Sequence, residues 1–112
     1  MNRRDRKALS EIVRLCDLAA ELVTRGHEWF FGDPANVPGL AAESLIVKIG
    51  ENVARLSPPT IDAHPQVPWS RIKRMRDLLA HHYEGTSYTR VWNTMTRDIP
   101  QVRIMITAIL EE

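Results

Sequence analysis

Helical spacing runs through almost every apolar stretch of this chain, and proline and glycine cut it into pieces. Leu9, Ile12, Val13, Cys16, Ala19, Ala20 and Val23 fall at the i, i+3, i+4, i+7 positions of one helix face. That spacing predicts a first helix from about Arg6 to about Trp29. Gly32-Asp33-Pro34-Ala35-Asn36-Val37-Pro38-Gly39 reads as a loop. A second helix is expected from near Leu40, carrying Leu45, Ile46, Ile49, Val53 and Leu56 inward, until Ser57-Pro58-Pro59 stops it. After the break at His64-Pro65-Gln66-Val67-Pro68, a third helix should begin at Trp69-Ser70 and end near Gly85, a suitable C-cap. Ser87 is the expected N-cap of a short helix through Val91, Trp92 and Met95. Asp98 and Pro100 then restart the chain as a last helix, proline being tolerated in a first turn. No alternating strand pattern of useful length competes. The fold class predicted is all-α: one domain over residues 1–112, an antiparallel bundle of four main helices plus a short one.

Composition narrows the function. The 112 residues carry 15 Lys and Arg against 14 Asp and Glu, so the formal charge is +1. That balance excludes a polycation that coats nucleic acid by bulk charge. No apolar run approaches the ~18 residues that cross a bilayer. Arg3, Arg4, Arg6 and Lys7 read as a solvated N-terminal arm, with no apolar secretory core after it, and a cytoplasmic protein is expected. The single cysteine, Cys16, makes neither an internal disulfide nor a zinc cluster. Trp69 and Trp92 are expected as core or interface anchors.

Chemistry concentrates on the third helix. With Arg76 at the origin and about 100° per residue, Lys73 lies at roughly 60°, Asp77 at roughly 100° and His81 at roughly 140°. Met75, Leu78, Leu79 and His82 fall on the opposite side, and Tyr83 sits on the border near the azimuth of Arg76. Histidine is the side chain best suited to move protons near neutral pH. Arginine holds a phosphate through its planar fork and stabilises charge growing on phosphorus. Cleaving RNA through its own 2′-hydroxyl needs a base, an acid and a cation at the phosphate, with no metal or cofactor. One chain offers a single histidine on this face; a two-fold dimer offers two. The competing reading is a solvated helix face with an incidental histidine, ordinary solubilising charge at Lys73 and a packed tyrosine at Tyr83.

Arg76-Asp77-Leu78-Leu79-Ala80-His81-His82-Tyr83 resembles the R-N-x-x-x-H-x-Y signature of HepT-like toxins. These belong to the HEPN ribonuclease superfamily. Ile49-Gly50-Glu51, Leu56-Ser57-Pro58, Val67-Pro68-Trp69, Val91-Trp92 and Asp98-Ile99-Pro100 resemble further landmarks of that family, in the same order. The resemblance implies a dimeric, metal-independent endoribonuclease with Arg76 and His81 at a composite cleft between protomers. It implies a partner, a minimal nucleotidyltransferase antitoxin that transfers AMP from ATP onto Tyr83 and so blocks the cleft with phosphate. Asp77 stands where the signature often has asparagine; a carboxylate there favours protonated His81 and repels phosphate. Lys73, on the Arg76 face, is a candidate RNA-backbone contact. A second function class is a non-catalytic dimeric module that is only the partner and AMP acceptor of the nucleotidyltransferase.

Overall fold

The computed structural model describes residues 1–81 and 87–112, with the backbone alone at Leu78, Ala80 and His81. The described residues form helices and no strand. The helices are α1 (Arg3–Thr24), α2 (His27–Gly32), α3 (Val37–Ala54), α4 (Pro58–Ala63), α5 (Trp69–His81), α6 (Tyr88–Asn93) and α7 (Ile99–Leu110). The bundle expected from the periodicity is present. Helix α3 lies at its centre against both α1 and α5, and α7 closes the far side of α1.

Helix α1 begins earlier and ends earlier than its apolar spacing suggests. Asn2 accepts from the Asp5 N–H at 2.7 Å and caps the helix, so Arg3 to Lys7 form its first turns rather than a loose arm. Arg6 reaches the Leu110 carbonyl at the C-terminus of α7. Gly26, at φ +92°, ends the run, and His27 to Gly32 fold as a separate short helix. The buried stripe is Leu9, Ile12, Cys16 and Ala19 with Ala8 and Leu15, while Ala20 of the expected face is exposed.

Prolines start helices here as well as stopping them. The loop before α3 is short: Asp33 accepts from the Val37 N–H at 2.8 Å, and Pro38 sits in the first turn. Pro58 and Pro59 end the preceding run and open α4, a helix the proline rule alone leaves out. Asp5 fixes α4 to α1. Its carboxylate, 1% exposed, accepts from the Ser57 N–H at 3.2 Å, the Ser57 hydroxyl and the Thr60 hydroxyl. Trp69 is a core anchor whose indole N–H donates to the His64 carbonyl at 2.9 Å. Trp92 packs against His27, Phe30 and Phe31 of α2.

The last helix starts at Ile99, with Asp98 before it and Pro100 in its first turn as expected, but no break separates it from α6. The two join through a π-helical turn at Thr94–Asp98, in which the Ile99 N–H donates to the Thr94 carbonyl. Pro100 has no N–H and its ring collides with the carbonyl four residues back in a regular α-helix; the wider turn accommodates it. Thr96 donates its hydroxyl to the Trp92 carbonyl at 2.9 Å and Thr94 to the Arg90 carbonyl at 3.0 Å. The helix thus continues through a proline, and the hydroxyls of Thr94 and Thr96 are satisfied by carbonyls of α6.

Candidate functional site

Helix α5 carries the candidate residues, and its packing decides where each one points. Trp69 and Ile72 are buried, and Met75 and Leu79 are half-buried. Lys73, Arg74 and Asp77 are exposed. Arg76 lies between these faces. Its side chain is 31% exposed, against 54% for Asp77. The open face predicted for Arg76 is therefore correct only for its tip.

Gly50 of α3 explains the position of Arg76. A methyl group on Gly50 would overlap the Arg76 Cβ and come within 3.0 Å of its Cγ and 3.4 Å of the Ile72 carbonyl. With no side chain at residue 50, α5 lies directly on α3, and the stem of Arg76 rests on the glycine. The apolar stem is covered while the guanidinium stays at the rim. The Ile49-Gly50-Glu51 landmark thus has a physical cause at its middle residue. Further along the same seam Gly39 receives the Tyr88 ring, two of whose carbons would stand 2.5 Å from an added Cβ. The two glycines seat α5 and α6 on one side of α3.

The guanidinium is engaged by its neighbour in sequence. Arg76 donates Nε–H to Asp77 Oδ1 at 2.9 Å, with Nη2 at 2.8 Å from the same oxygen. The carboxylate thus occupies a fork that could hold a phosphate. No close partner of Lys73 is found among the described residues, and its side chain is exposed. His81 is the last residue of α5, about 7.5 Å along the axis from Arg76. Its side chain lies outside what is described, as do His82, Tyr83 and the Gly85 cap. The structure therefore brings Arg76, Asp77 and Lys73 to one edge of α5. Among the described residues no three His, Cys, Asp or Glu side chains gather as a metal site would require.

His64 and Asp5 are also buried, away from this edge. His64 bonds the Thr60 carbonyl through Nδ1 at 2.8 Å and the Glu112 carboxylate through Nε2 at 3.0 Å. The Glu112 bond, with that to Thr60, raises its pKa above the usual histidine value. Asp5 is held below the usual carboxylate range: burial pushes it up, and the bonds from Ser57 and Thr60 outweigh that. Both tie the ends of the chain to α4, on the structural side of the molecule.

Comparison with known proteins supplies the chemical context. The family described as Ribonuclease HepT-like matches residues 37–109, from the start of α3 almost to the end of α7. A "Putative RNase" of Caldanaerobacter subterraneus subsp. tengcongensis is 32% identical over 108 residues, 96% of this chain and 95% of the relative. A "Putative RNase" of Methanocaldococcus jannaschii is 42% identical over 52 residues, 46% of this chain and 43% of the relative. A "Probable ribonuclease HepT" of Thermococcus cleftensis is 42% identical over 40 residues, 36% of each chain. The chain thus spans less than half the length of the last two relatives. No solved structure matches.

Proposed function

Since this chain belongs to the HepT-like ribonuclease family, we propose that it is a metal-independent endoribonuclease toxin acting as a homodimer in the cytoplasm. The observation that carries this reading is the seat of Arg76. Its stem is fixed on Gly50 and its guanidinium stands at the rim of the helix that ends in His81. In the proposed step His81 takes the proton from the 2′-hydroxyl of RNA, and the 2′-oxygen attacks the adjacent phosphorus. The 5′-oxygen leaves with a proton from His81 of the partner subunit. Arg76 holds the non-bridging oxygens as their charge grows. The products are a 2′,3′-cyclic phosphate and a 5′-hydroxyl. Lys73, exposed beside Arg76, contacts the RNA backbone.

Dimerisation supplies the second histidine, and the exposed Trp29, Val37 and Leu40 leave apolar surface for association. The cognate minimal nucleotidyltransferase acts as antitoxin by transferring AMP from ATP to the Tyr83 phenol, with pyrophosphate leaving. The added phosphate competes with RNA for Arg76.

One observation favours a second reading. Asp77 already bonds Arg76 at 2.8 Å, and it repels a phosphate approaching the same fork. On that reading the chain is a non-catalytic dimer that only binds the nucleotidyltransferase and accepts AMP. Purified, unmodified protein incubated with RNA in chelator separates the two. The ribonuclease reading expects cleavage with cyclic-phosphate ends, lost on Arg76→Ala and on His81→Ala. Retained cleavage by His81→Ala removes that residue from the mechanism, and no cleavage by the unmodified wild type favours the acceptor module. Mass spectrometry of protein made with its partner tests Tyr83: added AMP mapping elsewhere, or none, ends the modification claim.

A further inference from the structure

An open groove of about 560 Å³ runs between α1 and α3, away from the Arg76 edge. Arg4, Lys7 and Arg14 line it from α1, and Lys48 and Arg55 from α3. Glu11 and Glu51 are its acidic residues. Five cations against two carboxylates leave +3 in this groove, in a chain whose total is +1. Each set follows a helical stripe: residues 4, 7, 11 and 14 on one helix and 48, 51 and 55 on the other. Glu11 is bonded to Arg14 at 2.9 Å, which accounts for one cation. The remaining Arg4, Lys7, Lys48 and Arg55 form no ion pair among the described residues, and all are exposed. Lys48 and Lys7, from different helices, both act on the Glu11 carboxylate and help hold it below its usual range, after the Arg14 bond.

We propose that this groove is a binding track for the phosphate backbone of single-stranded RNA, separate from the Arg76 edge. Charge is the first argument, since a line of exposed cations in an open furrow fits a flexible polyanion. The second argument excludes an acidic protein as the favoured occupant. The apolar residues of the floor, Ala8 and Leu15, are 8% and 2% exposed. Among the described residues, no exposed aromatic or aliphatic side chain lines the groove to anchor a protein interface, where such anchors carry most of the affinity. The choice of RNA among polyanions rests on the ribonuclease reading; the charge geometry does not.

The test uses the full chain and a fluorescent single-stranded 2′-O-methyl RNA, which cannot be cut because its attacking oxygen is blocked. Lys48→Glu/Arg55→Glu is expected to weaken binding at least 10-fold at low salt. It should also flatten the dependence of log affinity on log salt by about 1.4, from about 0.7 per lost phosphate contact. Arg71→Glu/Arg97→Glu makes the same change in net charge outside the groove and is expected to bind as wild type does. Equal weakening by both variants shows that only the overall field matters and overturns the proposal. Wild-type binding by the groove variant also overturns it, even if that variant loses a protein partner. If the wild type binds this RNA through the groove yet cuts no RNA, the ribonuclease reading fails and the groove stands. If it cuts RNA while the groove variant binds normally, the groove alone fails.

Discussion

Replacing Gly50 by alanine tests the packing that positions Arg76. The added methyl group meets the near end of the Arg76 side chain, with its Cγ at 3.0 Å and the Ile72 carbonyl at 3.4 Å. Carbon atoms pack at about 3.5–4.0 Å, so α5 must retreat by about 1 Å. A Cβ cannot swing aside as a flexible tip can. Overpacking of this kind costs about 1–3 kcal/mol, and alanine returns about 1 kcal/mol of helix propensity. The net expectation is a loss of about 1 kcal/mol, or roughly 4 °C in Tm for a domain of this size. Urea and thermal unfolding measure it. Combining Gly50→Ala with Arg76→Gly removes the obstructing Cβ, so the pair should be less damaging than the sum of the single changes. On the proposed mechanism, a 1 Å shift of Arg76 also lowers cleavage on the order of 10²-fold. A Gly50→Ala protein with a higher Tm, as expected at an open helix position, refutes the close approach. Additivity with Arg76→Gly refutes the identity of the obstructing residue.

Asp5→Ala leaves the Ser57 amide and two hydroxyls without their acceptor. It should cost about 3 kcal/mol, with Asp5→Asn milder; a loss below about 1 kcal/mol in urea unfolding contradicts the assigned role. Asp5 is lowered in the fold, so its contribution holds above the ordinary carboxylate pKa and is lost as pH falls through the lower folded value. His64 behaves oppositely. Its raised pKa makes the Glu112 bond fully stabilising below the unfolded value of about 6.5, and that stability is lost as pH rises through the folded value. Glu112→Gln should flatten this alkaline decline in a pH series of denaturation curves, and an unchanged decline would remove the pair as its cause. Burial, aided by Asp17, pushes the Cys16 thiol up to about 12. Iodoacetamide at pH 8 should therefore label the native chain only as fast as it unfolds, a prediction that rapid native labelling defeats.

The parts legible in the sequence were those where one physical effect acted alone. Leu9, Ile12 and Cys16 are buried because helical spacing puts them together, and Ser87 caps α6 by bonding the Arg90 N–H as a serine before a helix should. Misreadings came where two effects competed. Gly26 interrupts an apolar run that periodicity carries onward to Trp29. Pro58 both ends one helix and begins the next, and only the ending was expected. Asp5 sits inside a basic stretch that looks solvated; its partners are more than 50 residues away, and nothing local announces them. At the candidate site, the wheel placed Lys73 and Asp77 on the exposed face. It did not show that the Arg76 stem is covered, because azimuth alone does not reveal a glycine on the facing helix.

The widened turn at Thr94–Asp98 takes up one residue more than a regular helical turn. Met95 and Ile99 are both buried across it, and Val102, Ile106 and Ile109 continue inward along α7. Deleting one residue within that turn lets it close as a regular α-turn, which covers nearly the same rotation with one residue fewer, so those side chains keep facing the core. The same deletion would press the Pro100 ring against an ordinary helical carbonyl. A shortened variant should therefore keep its last helix turned toward α1 yet be destabilised at Pro100, so the extra residue of this turn serves the proline ring.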